Sequence, residues 1–288
     1  MKTLIKRNLK LYFRDKVNIF FSMLAILIII GLFAIFLGQG NWGGEGIRDS
    51  WLMAGVLAVA AITVSMGSFE IVISDRLNKT AKGFYASPVP RSHITASYIL
   101  SPFITGTLMT VLTAIGFSIY LVVVGIQLPN AIGMAKLIGL ILLSNLTGTA
   151  ILCFIVSITK SMSAWNTIGT ILGTGSGFLM GVYMPIGQLP AAVQYVMVAF
   201  PPFHGAMLFR QIIMDAPMSA LEYAYGAVHA TEYPYEVMFN RAEIEEVLGV
   251  TFSFGDFQIT PIMSVAYLAV SAVIFYWLAA ARMKKLGK

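Results

Sequence analysis

Charged residues are scarce in this chain: they make up 11% of its 288 residues, while 58% are hydrophobic. Soluble domains usually contain about 25% charged residues, so the chain lacks the polar surface that a soluble fold needs. The composition predicts an integral membrane protein. The net charge of +6 does not indicate nucleic-acid binding, because the basic residues lie in short loops between apolar runs rather than on one polar face.

Cysteine and the signatures of several enzyme classes are also missing. The single cysteine, Cys153, lies in an apolar run and excludes an intrachain disulfide. The three histidines (His93, His204 and His229) do not have the spacing of metal ligands. Neither Gly-x-x-x-x-Gly-Lys-Ser/Thr nor His-Glu-x-x-His occurs. We therefore expect no P-loop ATP hydrolysis, no catalytic residue, no metal and no cofactor in this chain.

Charged residues are absent from the centres of the apolar runs. Proton- and sodium-coupled carriers place such residues inside the membrane, so this chain lacks their usual means of coupling. Glu70 lies at one end of an apolar run, where it either pairs with a basic residue or is solvated. Energy for any transport must therefore enter from outside the apolar runs.

Six apolar runs are long enough to cross about 30 Å of hydrocarbon. An amphipathic segment, residues 1–16, precedes them and predicts a helix lying on the membrane surface. The alternative is the n-region of a signal peptide, but the apolar run that follows is too long for one. The six predicted spans are residues 17–38, 51–73, 98–126, 136–158, 166–184 and 261–281.

Residues 185–260 differ from the rest, being irregular, rich in proline and acidic. The apolar stretch Ala191–Phe200 is too short to span, so we expect it to be re-entrant or interfacial. Residues 215–258 predict a small external insert. With both termini inside, 15 of the 19 Lys and Arg residues are cytoplasmic, as the positive-inside rule requires. The chain is expected to form a single transmembrane domain with both termini cytoplasmic.

The loop of residues 69–97 is the longest charged interruption in the N-terminal half. Ser74-Asp75 is typical of a helix N-cap, and predicts a short polar helix from Arg76 to Tyr85. The segment 87–90, Ser-Pro-Val-Pro, ends it, because each proline disfavours helix in the residue before it. Such a surface helix between two spans offers a rigid contact for a soluble partner. The alternative is a solvated loop whose basic residues only determine topology.

Four features together resemble the permease subunits of ABC-2 type exporters, which have the type V exporter fold. The basic lead ending in residues 11–16 is similar to that family's elbow helix. Residues 75–91, with Lys-Gly-Phe-Tyr-Ala-Ser-Pro-Val-Pro-Arg at their end, resemble its coupling helix. Residues 181–190, followed by Pro201-Pro202 and Arg210, resemble its external re-entrant helices. Six spans with cytoplasmic ends agree as well.

The resemblance implies an all-α permease of the bacterial plasma membrane, powered by separate soluble ABC ATPase subunits that bind ATP and Mg²⁺. Two permease halves, as a homodimer or a heterodimer, would form the path within membrane lipid. The implied coupling-helix contacts with the ATPase are Asp75, Arg76, Lys79, Lys82, Gly83, Phe84 and Tyr85. A second ATPase contact is implied at Lys160, Ser161 and Met162. Lys82-Gly83-Phe84 departs from the family's more usual Gly-Thr.

Polar residues within the apolar runs are candidates for lining the path, or alternatively for hydrogen bonds between helices. The cargo would be amphipathic or lipid-like: a drug, a peptide or a lipid. The insert is longer than the family pattern and could cap an exit, contact a partner or decorate the surface. The alternative function is an ATP-independent carrier, or a receptor or scaffold that uses the acidic insert. The path-lining candidates are Thr63, Ser65, Ser68, Asn166, Thr167, Thr170 and Thr174.

Overall fold

A computed structural model describes residues 1–17, 19–20, 45–229, 240–255 and 257–286 of the chain. The first predicted span, residues 17–38, lies almost entirely outside these described residues. The described part is almost all helix, with one small β-hairpin. This architecture, with several long apolar helices, is that of an all-α, multi-pass membrane protein.

The described residues form eleven α-helices, one 3₁₀ turn and one hairpin. The helices are α1 (Lys2–Arg14), α2 (Glu45–Leu77), α3 (Thr80–Ala86), α4 (Arg91–Val123), α5 (Ala131–Ile158), α6 (Met162–Leu179), α7 (Ala191–Ala199), α8 (Pro201–Ile213), α9 (Asp215–His229), α10 (Arg241–Leu248) and α11 (Pro261–Leu286). The 3₁₀ turn is Ile186–Gln188, and the hairpin pairs β1 (Ser253–Phe254) with β2 (Phe257–Gln258).

Four of these helices, α2, α4, α5 and α11, are long and apolar enough to cross a membrane. Helices α7 and α8 would make a fifth crossing if the pair, bent by 96°, is one broken span. Helix α6 lies on the predicted fifth span, 166–184, but ends at Leu179 and is rich in Thr, Ser and Gly. The residues that the structure describes therefore show four or five spans by length and composition.

Helix α2 lies at the centre of the bundle. It packs against α4, α5, α6 and α8, and every residue from Trp51 to Ile62 is buried. In its most apolar window 72% of residues are buried, against 28% for α11. Helix α11 therefore presents most of its surface outward, whereas α2 is enclosed by protein.

Helices α2 and α5 approach each other at backbone distance. A Cβ atom on Gly148 of α5 would lie 2.7 Å from the carbonyl oxygen of Ala61 in α2, so only glycine fits there. One turn earlier on α5, the buried amide of Asn145 donates to the carbonyl of Ile141 (2.9 Å) and to the Thr110 hydroxyl on α4 (3.3 Å). Small residues and interhelical hydrogen bonds are the main means of holding helices together in lipid.

The end of the bundle nearest Trp51 is organised by a fully buried arginine. Arg210 of α8 donates to the carbonyls of Met180 (2.6 Å), Gly181 (2.8 Å) and Gly249 (3.3 Å). These carbonyls follow the C-terminal ends of α6 and α10, where a cation offsets the helix dipole. The guanidinium also lies 5.5 Å from the Trp51 ring, so one side chain joins α2, α6, α8 and α10.

The predicted insert, residues 215–258, contains α9, α10 and the hairpin in its described part. Arg241 on α10 binds Glu245 of its own helix (2.7 Å), together with Asp215 (2.9 Å) and Glu222 (3.3 Å) of α9. These partners are partly or largely exposed, so each pair contributes little to stability. Their shared arginine nevertheless gives α10 a defined position beside α9.

We expect Gly148→Ala to lower the thermal stability of the purified protein, because its Cβ would displace the α2 backbone. Overpacking of this kind costs roughly 1–3 kcal/mol. Gly139→Ala is the matched control: it lies on the same helix with nothing within 4 Å of its Cβ. This control should be neutral or stabilising, since alanine is favoured over glycine in helices. Equal melting temperatures for the two variants would contradict the close approach of α5 to α2 at Gly148.

Candidate functional site

The connection between α2 and α4 contains the predicted surface helix, but its start differs from the prediction. The prediction that this helix begins at Arg76 was wrong: α2 continues to Leu77, and α3 runs from Thr80 to Ala86. The break comes at Lys79, whose φ of 62° is left-handed and cannot continue a helix. The end is close to the predicted one, where Ser87 is extended and its hydroxyl donates to the Phe84 carbonyl at 2.6 Å.

Asp75 lies at the end of α2 and is 6% exposed. Its carboxylate accepts two hydrogen bonds from the Arg7 guanidinium of α1, one of them at 2.8 Å. It also accepts one from the Tyr98 hydroxyl of α4 at 2.8 Å. A buried carboxylate needs such partners. Asp75 therefore joins three helices and does not present its side chain to a partner.

Arg7 connects this cluster to the surface helix. Its guanidinium lies 5.2 Å from the centroid of the Phe84 ring on α3, within the range of a cation–π contact. The hydrogen bonds that Arg7 donates to Asp75 raise the pKa of Arg7 above its ordinary value, so Arg7 stays charged. Neighbouring Asn8 donates to the Ser101 hydroxyl of α4 at 3.3 Å. The amphipathic helix α1 is thus attached to the α2–α3 junction through Arg7.

Arg76 attaches the same junction to α5. It donates to the carbonyls of Val156 (2.8 Å) and Thr159 (3.2 Å) at the C-terminal end of that helix, where a cation is favoured by the dipole. Lys160 and Ser161 follow directly and are exposed, while Met162 is half-buried. The Ser161 hydroxyl accepts the Ala164 amide at 3.1 Å and caps α6. The two segments with implied ATPase contacts therefore meet at one end of the bundle.

The surface of this end is provided by α3, which has no buried residue. Lys79, Lys82 and Gly83 are exposed, Tyr85 is 45% exposed, and Phe84 is half-buried beneath Arg7. Of the seven predicted contact residues, Asp75 and Arg76 hold the junction together from inside, and the other five form or flank the surface helix. Sequence spacing could not identify Arg7 or Tyr98, because they lie 68 and 23 residues from Asp75.

The predicted path-lining residues fall into two groups. Ser65 and Ser68 are buried inside the protein and Thr63 is half-buried, its hydroxyl bonded to the Val59 carbonyl at 2.9 Å. In α6, positions 166, 170 and 174 recur every four residues and position 167 lies beside them, which places all four on one face. All four are exposed: Asn166, Thr167, Thr170 and Thr174.

Among the residues that the structure describes, no three His, Cys, Asp or Glu side chains lie together as metal ligands would. The most buried intramembrane polar pair, Asn145 with Thr110, was not predicted. The sequence did contain a hint of this pair, because both an amide side chain and a hydroxyl side chain lie within apolar runs. Their contact depends on how α4 and α5 pack.

We expect Asp75→Asn and Arg7→Gln each to destabilise the protein by about 1–3 kcal/mol, because each leaves a partner without its hydrogen bonds. The double variant should lose clearly less than the sum of the two, since the residues act as one pair. Thermal unfolding of the three variants in detergent measures the difference. Additive effects would show that the Arg7–Asp75 pair does not hold α1 to the junction.

Comparison with known proteins identifies the family of the chain. The family described as "ABC-2 family transporter protein" matches residues 44–281. No curated protein matches the chain with significant similarity. The matched region contains the α2–α3 junction, α6, the helices that follow it and most of α11. Because it covers most of the sequence, the chain belongs to the ABC-2 family of transporter proteins, as a membrane permease component.

Proposed function

We propose that this permease is the membrane half of an ATP-driven exporter, and that a separate soluble ATPase subunit docks on α3. The observation that carries the proposal is the position of α3: an exposed helix, without buried residues, between two long spans. The 15 basic residues that the positive-inside rule assigns to the cytoplasm include those around α3. The ATPase would bind the ATP and Mg²⁺.

Movement of α3 would pass into the bundle through the α2–α3 junction. Only two residues separate α3 from α2, and Asp75 and Arg76 hold α1, α4 and α5 to the end of α2. Displacement of α3 by a closing ATPase would therefore shift a connected group of helices rather than bend one loop. Rigid-body motion of this kind is a common basis for switching between states.

The exposed polar face of α6 supports a path between two permease halves. Hydroxyl and amide side chains are unfavourable against lipid and usually face protein or a water-filled cavity. Ile171 (64% exposed) and Phe178 (62%) lie beside them on the same helix. A wall of mixed polar and apolar side chains suits amphipathic or lipid-like cargo. The second half, identical or different, would lie opposite α6.

Reversing the charge and removing the ring on the exposed side of α3 should uncouple the ATPase. We expect the double variant Lys82→Glu/Tyr85→Ala to lose roughly tenfold or more of its affinity for the ATPase, about 1.4 kcal/mol, and most cargo-stimulated ATP hydrolysis. The measurements are co-purification and ATPase assays in vesicles. Lys136→Glu/Tyr223→Ala, two exposed residues elsewhere, is the matched control. An equal loss in the control, or no ATPase co-purifying with the unaltered chain, would contradict the proposal.

Water access to α6 tests the path separately. In a Cys153→Ala background, Thr170→Cys should react with a membrane-impermeant maleimide, and its rate should change when ATP is added to the complex. Ile138→Cys, exposed on the apolar surface of α5, should remain unreactive because it contacts lipid. If Thr170→Cys reacts neither with nor without ATP, this face of α6 lies against lipid or protein and does not line a water-filled path.

A further inference from the structure

Exposed aromatic and aliphatic side chains occur on α7, on the hairpin and at the start of α11. Tyr195 is 52% exposed and Phe257 55%. The Tyr195 ring stacks on Phe254 with centroids 5.4 Å apart and planes at 22°. Phe252, which is buried, meets Phe254 edge-on at 5.0 Å. We call this the aromatic surface; its members are Val193, Tyr195, Val196, Phe254, Phe257 and Ile262.

The aromatic surface lies in a part of the chain with almost no charge. Residues 187–209 contain no Asp, Glu, Lys or Arg, and residues 247–281 contain only Asp256. The neighbouring helices α9 and α10, by contrast, hold Asp215, Glu222 and the residues around Arg241. A large exposed apolar patch on a surface that faces water is unusual and marks an interaction site.

The aromatic surface lies next to the start of a candidate membrane span, which points to the lipid bilayer as its partner. The hairpin is separated from α11, a candidate span that is mostly exposed, by two residues, Ile259 and Thr260. Ile262 in the first turn of α11 is 81% exposed, so exposed apolar side chains extend along the chain from the hairpin onto that helix. The Tyr267 hydroxyl donates to the Ala199 carbonyl at 2.9 Å and ties the end of α7 to the start of α11.

The angle between α7 and α8 indicates how α7 lies. Helix α8 packs against α2, α5 and α11, and its residues from Pro202 to Arg210 are buried. Helix α7 leaves it at 96°, and most residues from Ala191 to Val196 are exposed. A short apolar helix that leaves the bundle at a right angle beside the start of a span is placed to lie along the membrane surface.

We propose that the aromatic surface is an interfacial anchor that inserts into the boundary between the headgroups and the acyl chains of the leaflet where α11 begins. Tyrosine is enriched at this boundary because its ring is apolar and its hydroxyl is polar. The partner is the phospholipid bilayer itself. Anchored there, α7 and the hairpin would keep α8, and through Arg210 the ends of α6 and α10, at a fixed depth. The proposal does not depend on the ATPase.

Spin-label depth measurements test this directly. The full chain with Phe257→Cys in a Cys153→Ala background is labelled with a nitroxide and reconstituted into phosphatidylethanolamine–phosphatidylglycerol vesicles. Power-saturation EPR then compares collisions with oxygen and with a water-soluble nickel chelate. We expect a positive depth parameter, meaning greater access to oxygen. Glu243→Cys, exposed on α10, is the matched control and should give a negative value.

Tyr195→Cys provides a second label position on α7, so a folding defect in one variant does not decide the outcome. Positive depth parameters at both positions support the anchor. A negative value at a folded variant, like that of the control, would mean that the surface faces water and would overturn the proposal. Low access to both reagents would also overturn it, because another protein chain would then cover the surface.

Discussion

The backbone contact between α2 and α5 is the interaction on which the rest of the structure depends. In hydrocarbon, helices gain no hydrophobic energy by associating, so close packing and hydrogen bonds must hold them. Gly148 lets the Ala61 carbonyl approach, and Asn145 bonds to Thr110 nearby. With these contacts α2 becomes an enclosed central helix, and the other described helices take positions around it.

Two buried polar clusters of the described residues lie towards the two ends of α2. Trp51 meets Arg210 at one end, while Asp75 and Arg76 form the α2–α3 junction at the other. Asp75 lies 24 positions after Trp51, which corresponds to about 36 Å of helix at 1.5 Å per residue, roughly the thickness of a bilayer. A shift of α2 as a rigid body would therefore move both clusters together.

The buried charges in the two clusters are stabilised by different kinds of partners. Asp75 has a cationic partner and a hydroxyl donor, whereas Arg210 donates to three backbone carbonyls at helix ends. Carbonyls left without partners at the ends of α6 and α10 would be costly away from water. Arg210 satisfies them, and so allows those helices to end inside a packed region.

The sequence by itself determined the class of the protein and the approximate course of the four long apolar helices α2, α4, α5 and α11, because long apolar runs leave a chain few options in lipid. It also located the short surface helix, since Ser-Pro-Val-Pro must end a helix. Tertiary structure decided that Asp75 and Arg76 belong to the end of α2 and turn inward, because their partners Arg7, Tyr98 and Val156 are brought there only by packing. It likewise decided that Asn166, Thr167, Thr170 and Thr174 are exposed while Ser65 and Ser68 are buried. Helical periodicity assigns residues to a face, but the neighbours of that face are determined by the packing of the whole bundle.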